Sequence, residues 1–239
     1  MDSAENMLKV DDIHTYIGES YILQGVSMTV PKGKVVAVLG RNGVGKTTLI
    51  HSIIGFHTVR KGTILLEGEK INDLPAYKVA RKGIGLVPQG RRLFPSLTVR
   101  ENLEVPRKCS SEVCGEWDVN HVFTEFPALE KRKDYGAGRL SGGEQQMLSM
   151  GRGLVSRPKL LLMDEPSEGL SPLMVSSIGK MIKSLSERGL SVLLVEQKLG
   201  FALTVADHVY VMSKGRIVYH SSPSELSSNE EVKGRYLGV

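Results

Sequence analysis

A glycine-rich loop joins an apolar strand to a helix near the start of the chain. The predicted strand Val35 to Leu39 is followed by GRNGVGKT at residues 40–47 and by a helical run from Thr48 to Ile54. This order satisfies the pattern G-x-x-x-x-G-K-[S/T], in which backbone N–H groups and the positive end of a helix surround a phosphate. The loop therefore predicts a nucleotide site at the end of a buried strand.

Two residues of this loop carry side chains suited to a nucleotide and its metal. Lys46 can reach the β and γ phosphates of ATP, and the Thr47 hydroxyl can ligate Mg²⁺. A glycine-rich turn before an ordinary helix is the alternative. The remaining loop positions are expected to contact ATP as well: Gly40, Arg41, Asn42, Gly43, Val44, Gly45 and Thr48.

Two adjacent acids follow a second apolar run. The run Leu160 to Met163 is followed by Asp164 and Glu165 in the sequence MDEPSEGLSP. Taken alone, the pair can be helix punctuation, because Asp is a good N-cap and Glu suits a first helical turn. Beside a phosphate loop, Asp164 is expected to hold the water shell of Mg²⁺, and Glu165 to face the attacking water as a catalytic residue.

The order of predicted elements indicates an α/β fold. Helical patterning interrupted by prolines runs from about residue 91 to 150 and suggests a helical insertion. The strands Leu160 to Met163 and Val192 to Val195 then flank a helix from about 173 to 188, a spacing that predicts a parallel sheet. Short strands and hairpins are predicted at residues 7–13, 26–30, 35–39, 63–66, 209–212 and 217–219. A polar tail is expected after the last of these hairpins.

Composition and charge limit the class of protein. With 41% hydrophobic and 24% charged residues, the 239-residue chain has the composition of an ordinary soluble protein. The start, MDSAENMLKV, is not a signal peptide, and no apolar run approaches the roughly 18 residues that span a bilayer. The net charge of +5 is scattered and gives no argument for nucleic-acid binding. We therefore expect a cytoplasmic protein, in which Cys109 and Cys114 are free thiols.

The sequence RLSGGEQQ at residues 139–146 resembles the signature of the ATP-binding subunits of ABC transporters. The resemblance implies that Ser141, Gly142, Gly143 and Glu144 complete the site of the opposite subunit, where the serine hydroxyl and the glycine N–H groups bind the γ-phosphate of its ATP. Ser-Gly-Gly at a helix start also forms an anion-binding nest. A simple helix cap is the alternative for these residues.

Two further segments match the family. Gln89 in GLVPQG resembles the glutamine that touches Mg²⁺ and the attacking water, and it begins the segment that contacts the membrane subunits. SEGLSP at residues 167–172 resembles the loop that crosses the dimer interface, although Ser171 stands where many members have Asp.

The resemblance implies a P-loop NTPase fold of the ABC ATPase type. Such a fold combines an antiparallel β subdomain, a parallel RecA-like core sheet and a helical subdomain. We expect one domain over residues 1–239. Residues 1–89 and 151–239 would form the catalytic core with the β subdomain, and residues 90–150 the helical signature subdomain.

Two positions depart from the family pattern. The switch position, usually His, is Gln197, whose amide can hydrogen-bond the γ-phosphate but cannot change charge near pH 7. The aromatic residue that normally stacks on adenine precedes a glycine, but here Ile17 precedes Gly18 and Tyr16 lies one residue earlier. Adjacent strand residues face opposite ways, so Tyr16 is expected to point away and Ile17 to supply an apolar contact.

Within the family, four sequences together are similar to the LivF-type subunit of branched-chain amino acid importers: VEQ, GRRLFPSLTVRENL, SEGLSP and the ending YLGV. The resemblance implies an ATPase on the inner face of the cell membrane that powers amino-acid uptake. The implied partners are a second ABC ATPase subunit, identical or related, two transmembrane permeases and, indirectly, an extracellular or periplasmic solute-binding protein. No nucleic-acid partner is expected.

Two other functions stay open. One is a urea or short-amide importer subunit, which is the nearer alternative. The other is a non-transport ABC ATPase that acts on nucleic acid, a class that usually carries long coiled coils or two linked cassettes. If the chain is a transporter subunit, residues 90–97, GRRLFPSL, are expected to contact a permease, because they combine Phe94 and two leucines with two arginines. The alternative for Phe94 is a place in the core of the chain itself.

Overall fold

A computed structural model of the chain describes residues 6–107 and 117–238. Cys109 and Cys114, predicted to be free thiols, lie outside the described residues. Within these two ranges, no helix has the length and apolar character needed to cross a membrane.

The first sheet is antiparallel and is built from the N-terminal third of the chain. Its strands are β1 (Asn6–Ile17), β2 (Ser20–Pro31), β4 (Val59–Leu66) and β5 (Glu69–Lys70), in the order β2-β1-β4-β5. Leu8, Val10 and Ile13 of β1 are fully buried, whereas Lys9, Asp11 and Asp12 are exposed. One face of this sheet therefore covers the core and the other faces solvent.

The second sheet carries the ends at which the predicted site residues lie. Its strands are β3 (Val35–Leu39), β6 (Ile84–Val87), β7 (Leu160–Asp164), β8 (Ser191–Glu196), β9 (His208–Ser213) and β10 (Arg216–Ser221), in the order β10-β9-β3-β8-β7-β6. All neighbours pair parallel except β9 and β10. Leu39 pairs with Glu196, and Asp164 pairs with Val195, so the carboxyl ends of β3, β7 and β8 meet at one edge.

Helices cover both faces of this parallel sheet. Their bounds are α1 (Lys46–Ile54), α2 (Ala76–Arg81), α3 (Val99–Arg107), α4 (Val119–Glu125), α5 (Pro127–Glu130), α6 (Gly142–Val155), α7 (Pro172–Glu187), α8 (Leu199–Val205), α9 (Pro223–Ser228) and α10 (Glu230–Val232). Strand β3 shows the two faces: Val35, Ala37 and Leu39 join one apolar cluster, and Val36 and Val38 join the other. Burial on both faces explains why the central strands are unbroken apolar runs.

The predicted parallel sheet, hairpins and helical segment are confirmed, with some differences in extent. Strands β1 and β2 are longer than the apolar patches that predicted them. The predicted subdomain boundary at residue 150 falls inside α6, and the sequence analysis did not place α2 or β6. The segment after the last hairpin, predicted only as a polar tail, contains α9 and α10, which bury Leu226 and Val232 against the main core.

Candidate active site

The loop between β3 and α1 depends on its glycines. Gly43 and Gly45 have φ angles of 80° and 111°, a left-handed conformation that side chains with a Cβ rarely adopt. A Cβ on Gly40 would lie 2.6 Å from the carbonyl oxygen of Met212. The glycine pattern therefore reflects both backbone conformation and close packing against β9.

Lys46 lies at the centre of this loop. Its side chain is only 4% exposed, and its Nζ donates to the carbonyl oxygens of Gly40 and Arg41 at 2.9 and 3.1 Å. The same Nζ lies 3.1 Å from Oε1 of Glu165. This buried ammonium group thus has three oxygen partners within the chain, and it faces the groups predicted to surround the phosphates.

Asp164 ends β7 beside the start of α1. The Thr47 hydroxyl donates to its Oδ1 at 3.2 Å, and the residue is 2% exposed. Burial above all, together with the nearby Glu165 charge, raises the pKa of this carboxyl to about 6, against the opposing effect of the hydrogen bond from Thr47. The structure therefore brings together Thr47 and Asp164, two of the three predicted metal-binding residues.

Glu165 and Gln89 form the next part of the site. Glu165 has a φ of 48°, and its N–H donates to the carbonyl oxygen of Val195 at 3.0 Å. Gln89 Nε2 donates to Oε2 of Glu165 at 3.4 Å and to Oε2 of Glu168 at 3.1 Å. Glu168 was not singled out from the sequence, although it lies three residues beyond Glu165.

Gln197 follows the end of β8, and its side chain is exposed at the same edge of the sheet. Its backbone N–H donates to the carboxylate of Glu196, a buried residue that the sequence analysis also missed. The signal that could have found Glu196 is the one that identified Asp164: a carboxylate that directly follows an unbroken apolar run at the end of a strand.

The signature residues form an N-terminal cap on α6. The Ser141 hydroxyl and N–H both donate to Oε2 of Glu144 at 2.8 Å, and the Glu144 N–H donates back to Ser141 Oγ at 3.3 Å. A Cβ on Gly143 would lie 2.8 Å from Cε of Met174 on α7. The capping alternative is therefore present in this single subunit, and a role for Ser141, Gly142, Gly143 and Glu144 in the opposite subunit stays a prediction.

The two predicted adenine contacts lie at the end of β1. The Tyr16 ring stacks on Tyr21 with centroids 4.5 Å apart, and the Arg60 guanidinium lies 4.3 Å from its centroid. Ile17 is 45% exposed. Tyr16 is thus engaged by its own subdomain, and Ile17 is the free apolar side chain next to Gly18.

Residues 23–168 match the family described as ABC transporter. The chain belongs to the ABC transporter family. Its sequence is 43% identical over 232 residues to the high-affinity branched-chain amino acid transport ATP-binding protein BraG of Pseudomonas aeruginosa, covering 97% of this chain and 100% of that protein. It is 36% identical to the probable branched-chain amino acid transport ATP-binding protein LivF of Archaeoglobus fulgidus, covering 98% and 99% of the two chains.

The chain is also similar to a protein of an export system and to a solved ATP-binding cassette. The lipopolysaccharide export system ATP-binding protein LptB of Escherichia coli K12 is 34% identical, over 91% of each chain. The crystal structure of a nucleotide-free ATP-binding cassette from an ABC transporter superposes with a TM-score of 0.85 at 30% identity, covering 95% of this chain and 97% of that one. The predicted fold, the family resemblance and the assignment as an ATP hydrolase are confirmed.

The buried charge of Asp164 has a consequence for stability. The folded-state pKa of about 6 lies above the usual 3.8, so this group destabilises the nucleotide-free protein as pH rises from about 4 through 6. Asp164→Asn removes that charge, and we expect it to raise the free energy of unfolding at pH 8 by about 1–3 kcal/mol. Thermal unfolding without nucleotide at pH 8 and pH 5 measures the difference, which should shrink at the lower pH.

The control for that experiment is Asp73→Asn, which changes an exposed carboxylate paired with Lys70. It should show little stabilisation at either pH. Equal effects of the two variants, or an Asp164→Asn effect that does not change with pH, would contradict the assignment of a buried charge at Asp164.

Proposed function

We propose that this chain binds Mg-ATP at the loop 40–47 and hydrolyses it to power the import of branched-chain amino acids through partner permeases. The observation that carries this proposal is the 43% identity to BraG over nearly the whole of both chains. The identity to LptB, whose name describes an export system, is 34%. The similarity to the probable branched-chain amino acid transport protein LivF of Archaeoglobus fulgidus supports the same solute class.

The geometry supports a specific division of roles. Lys46 would bind the β and γ phosphates, since its ammonium already lies among the loop carbonyls. Glu165 would accept a proton from the attacking water. Gln89, which donates a hydrogen bond to Glu165, would orient that water. The Gln197 amide, which directly follows β8 at the same edge of the sheet, would donate a hydrogen bond to the γ-phosphate.

Mg²⁺ fits the oxygen donors present at this edge. The Thr47 hydroxyl, the Asp164 carboxylate and the Gln89 amide are hard oxygen ligands of the kind Mg²⁺ prefers. Burial disfavours the charge of Asp164, and a bound cation would offset that cost. When bound, Mg²⁺ neutralises charge on the phosphates.

We further propose that two ATPase subunits, identical or related, close on ATP with Ser141 to Glu144 of each facing the phosphate loop of the other. This pair would sit on the inner face of the cell membrane beneath two permeases, and a solute-binding protein would deliver the amino acid. The nest-like start of α6 suits such a phosphate contact. The proposal therefore includes bound Mg²⁺, these partners and this location at the membrane. It also includes contacts of Tyr16 and Ile17 with the adenine base of ATP.

A groove next to Gln89 suits the permease contact. Its volume is about 750 Å³, and it lies among α2, β6 and α6 with Phe56, Tyr77, Arg92 and Arg152 on its walls. Phe56 and Tyr77 are exposed. The apolar lining with arginines at the side is suited to a short amphipathic helix.

Residues 90–97 connect Gln89 to this groove and to α6. Arg91 and Arg92 have φ angles of 65° and 43°, and their carbonyl oxygens accept from Ser149 Oγ at 3.1 Å and Arg152 Nη1 at 2.7 Å. Phe94 is 43% exposed, with the Arg152 guanidinium 4.8 Å from its ring centroid. The alternative of a core role for Phe94 is therefore wrong, and its ring is available at the surface.

Phe94→Asp is expected to separate coupling from hydrolysis. The exposed ring contributes little to the core, and an aspartate there can pair with Arg152, so thermal stability and basal ATPase should stay near wild type. Co-purification with the permeases should be lost, because the apolar anchor becomes a charge. Val218→Asp is the control, since Val218 is also exposed but lies on β10, at the opposite edge of the sheet from β6. Intact co-purification and uptake with Phe94→Asp would remove this segment from the coupling surface.

The solute class is tested by uptake in the native cell. A strain lacking this gene should lose high-affinity uptake of labelled leucine, isoleucine and valine, and the wild-type gene should restore it. Loss of urea uptake with normal leucine uptake would move the assignment to the urea or short-amide importer. Normal uptake of all these solutes would contradict the proposed import function.

A further inference from the structure

Glu196 ends β8 with a buried carboxylate that joins two loops. The residue is 2% exposed. Its Oε1 accepts the Ser167 N–H at 3.1 Å, and its Oε2 accepts the N–H groups of Gln197 and Lys198 at 3.0 and 3.1 Å. Ser167 lies in the loop that begins at Glu165, so one carboxylate holds the backbone of both loops.

A second side chain links the same two loops, and we call the contacts of Glu196 and Lys198 with Ser167 the joint. Lys198 Nζ donates to the carbonyl oxygen of Ser167 at 2.8 Å. The backbone oxygen of Glu196 also accepts the Gly40 N–H at 3.3 Å, which ties the joint to the phosphate loop. The backbone of Ser167 is therefore held through both its N–H and its C=O by the two residues that flank Gln197.

This use of a carboxylate is chemically specific. Donors approach both oxygens, and only an ionised carboxylate offers acceptors at both ends. A glutamine in its place would direct an NH₂ group at a backbone N–H on one side or the other. An apolar residue would fill the space but leave three N–H groups without these partners, at a cost in a buried region.

We propose that Glu196 is a positioning residue that fixes Gln197 relative to Glu165, so that the two loops move as one unit during ATP hydrolysis. The inference rests on the proposed roles of Glu165 and Gln197 and adds a residue that does not itself touch ATP. Lys198 is the second member of this joint. Glu196 and Lys198 thereby become candidates for the link between the water-activating carboxylate and the γ-phosphate contact.

The test compares Glu196→Gln, Lys198→Met and the double variant in the full-length chain with Mg-ATP. Misplaced catalytic groups lower turnover more than binding, so Glu196→Gln should reduce kcat about tenfold or more while the KM for ATP changes less than about twofold. Lys198→Met should reduce kcat in the same direction. The double variant should be no worse than the more severe single variant, because both changes break one joint.

Glu187→Gln, at the exposed end of α7, is the matched control and should leave kcat and KM unchanged. Thermal unfolding accompanies each assay. If Glu196→Gln does not fold, the exposed Lys198→Met carries the test alone, and a wild-type kcat in that variant overturns the proposal. Folded variants with wild-type kcat, parallel losses in kcat and ATP binding, or fully additive losses in the double variant also overturn it. A wild-type chain without ATPase activity would instead contradict the proposed function itself, and this inference with it.

Discussion

Lys46→Ala is expected to abolish ATP hydrolysis and to weaken ATP binding. The Lys46 ammonium is buried at the centre of the loop and contacts the carbonyls of Gly40 and Arg41 as well as Glu165. Its removal takes away the charge that faces the phosphates and leaves Glu165 without its cationic partner. Loss of one preorganised electrostatic contact typically lowers turnover by about a hundredfold or more.

Phosphate release and equilibrium nucleotide binding measure this effect in the purified chain. Lys61→Ala is the control, because Lys61 is an exposed lysine paired with Asp12 in the antiparallel sheet. It should keep wild-type turnover. Wild-type turnover in Lys46→Ala would show that the loop 40–47 is not the phosphate site.

Glu165→Gln should bind ATP but hydrolyse it slowly. Loss of a general base should lower the rate of hydrolysis by about a hundred- to ten-thousandfold. The amide keeps the shape of the side chain and its contact with Gln89, but it cannot accept the proton of the attacking water. It also removes a negative charge 3.1 Å from Lys46, which reduces repulsion of the γ-phosphate. ATP should therefore hold two subunits in a closed dimer.

Size-exclusion chromatography with Mg-ATP tests this expectation for the chain alone and mixed with a related ATPase subunit. Glu168→Gln is a demanding control, since Glu168 lies three residues away and also accepts from Gln89, at 3.1 Å. Only Glu165→Gln should accumulate as an ATP-bound dimer. Equal trapping by Glu168→Gln, or a Glu165→Gln chain that hydrolyses ATP at the wild-type rate, would contradict the role given to Glu165.

The strands that carry the site could be predicted because burial on both faces leaves a simple signal. Val35 to Leu39 and Leu160 to Met163 are apolar without interruption, and each ends at a residue type that suits phosphate or metal chemistry. Parallel pairing then brings these ends to one edge. Local sequence and topology were sufficient to place Lys46, Thr47, Asp164 and Glu165 together.

The joint at Glu196 could not be predicted in the same way. Its first partner, Ser167, lies 29 residues away in a loop whose path depends on the φ of 48° at Glu165. No periodicity specifies which backbone N–H groups will converge on one carboxylate. The carboxylate at the end of an apolar strand was visible in the sequence, but its partners were not.

The position of Tyr16 shows a different limit. Strict alternation along a strand predicts that Tyr16 and Ile17 face opposite ways. The pairing of β1 with β2 shifts register between Thr15 and Tyr16, whereas Tyr16 and Ile17 themselves pair regularly with Tyr21 and Ser20. The partners of Tyr16, Tyr21 and Arg60, come from β2 and β4, and alternation along β1 alone does not specify them.

ATP-dependent leucine uptake by membrane vesicles is the most direct test of the central claim. Vesicles would contain the two permeases and the second ATPase subunit, with the solute-binding protein on the outer side and ATP on the side of this chain. Wild-type chain should support leucine accumulation that stops when ATP is omitted or when Lys46→Ala replaces it. Equal accumulation with wild type, with Lys46→Ala and without the chain would contradict its role as the ATP-driven motor of this importer.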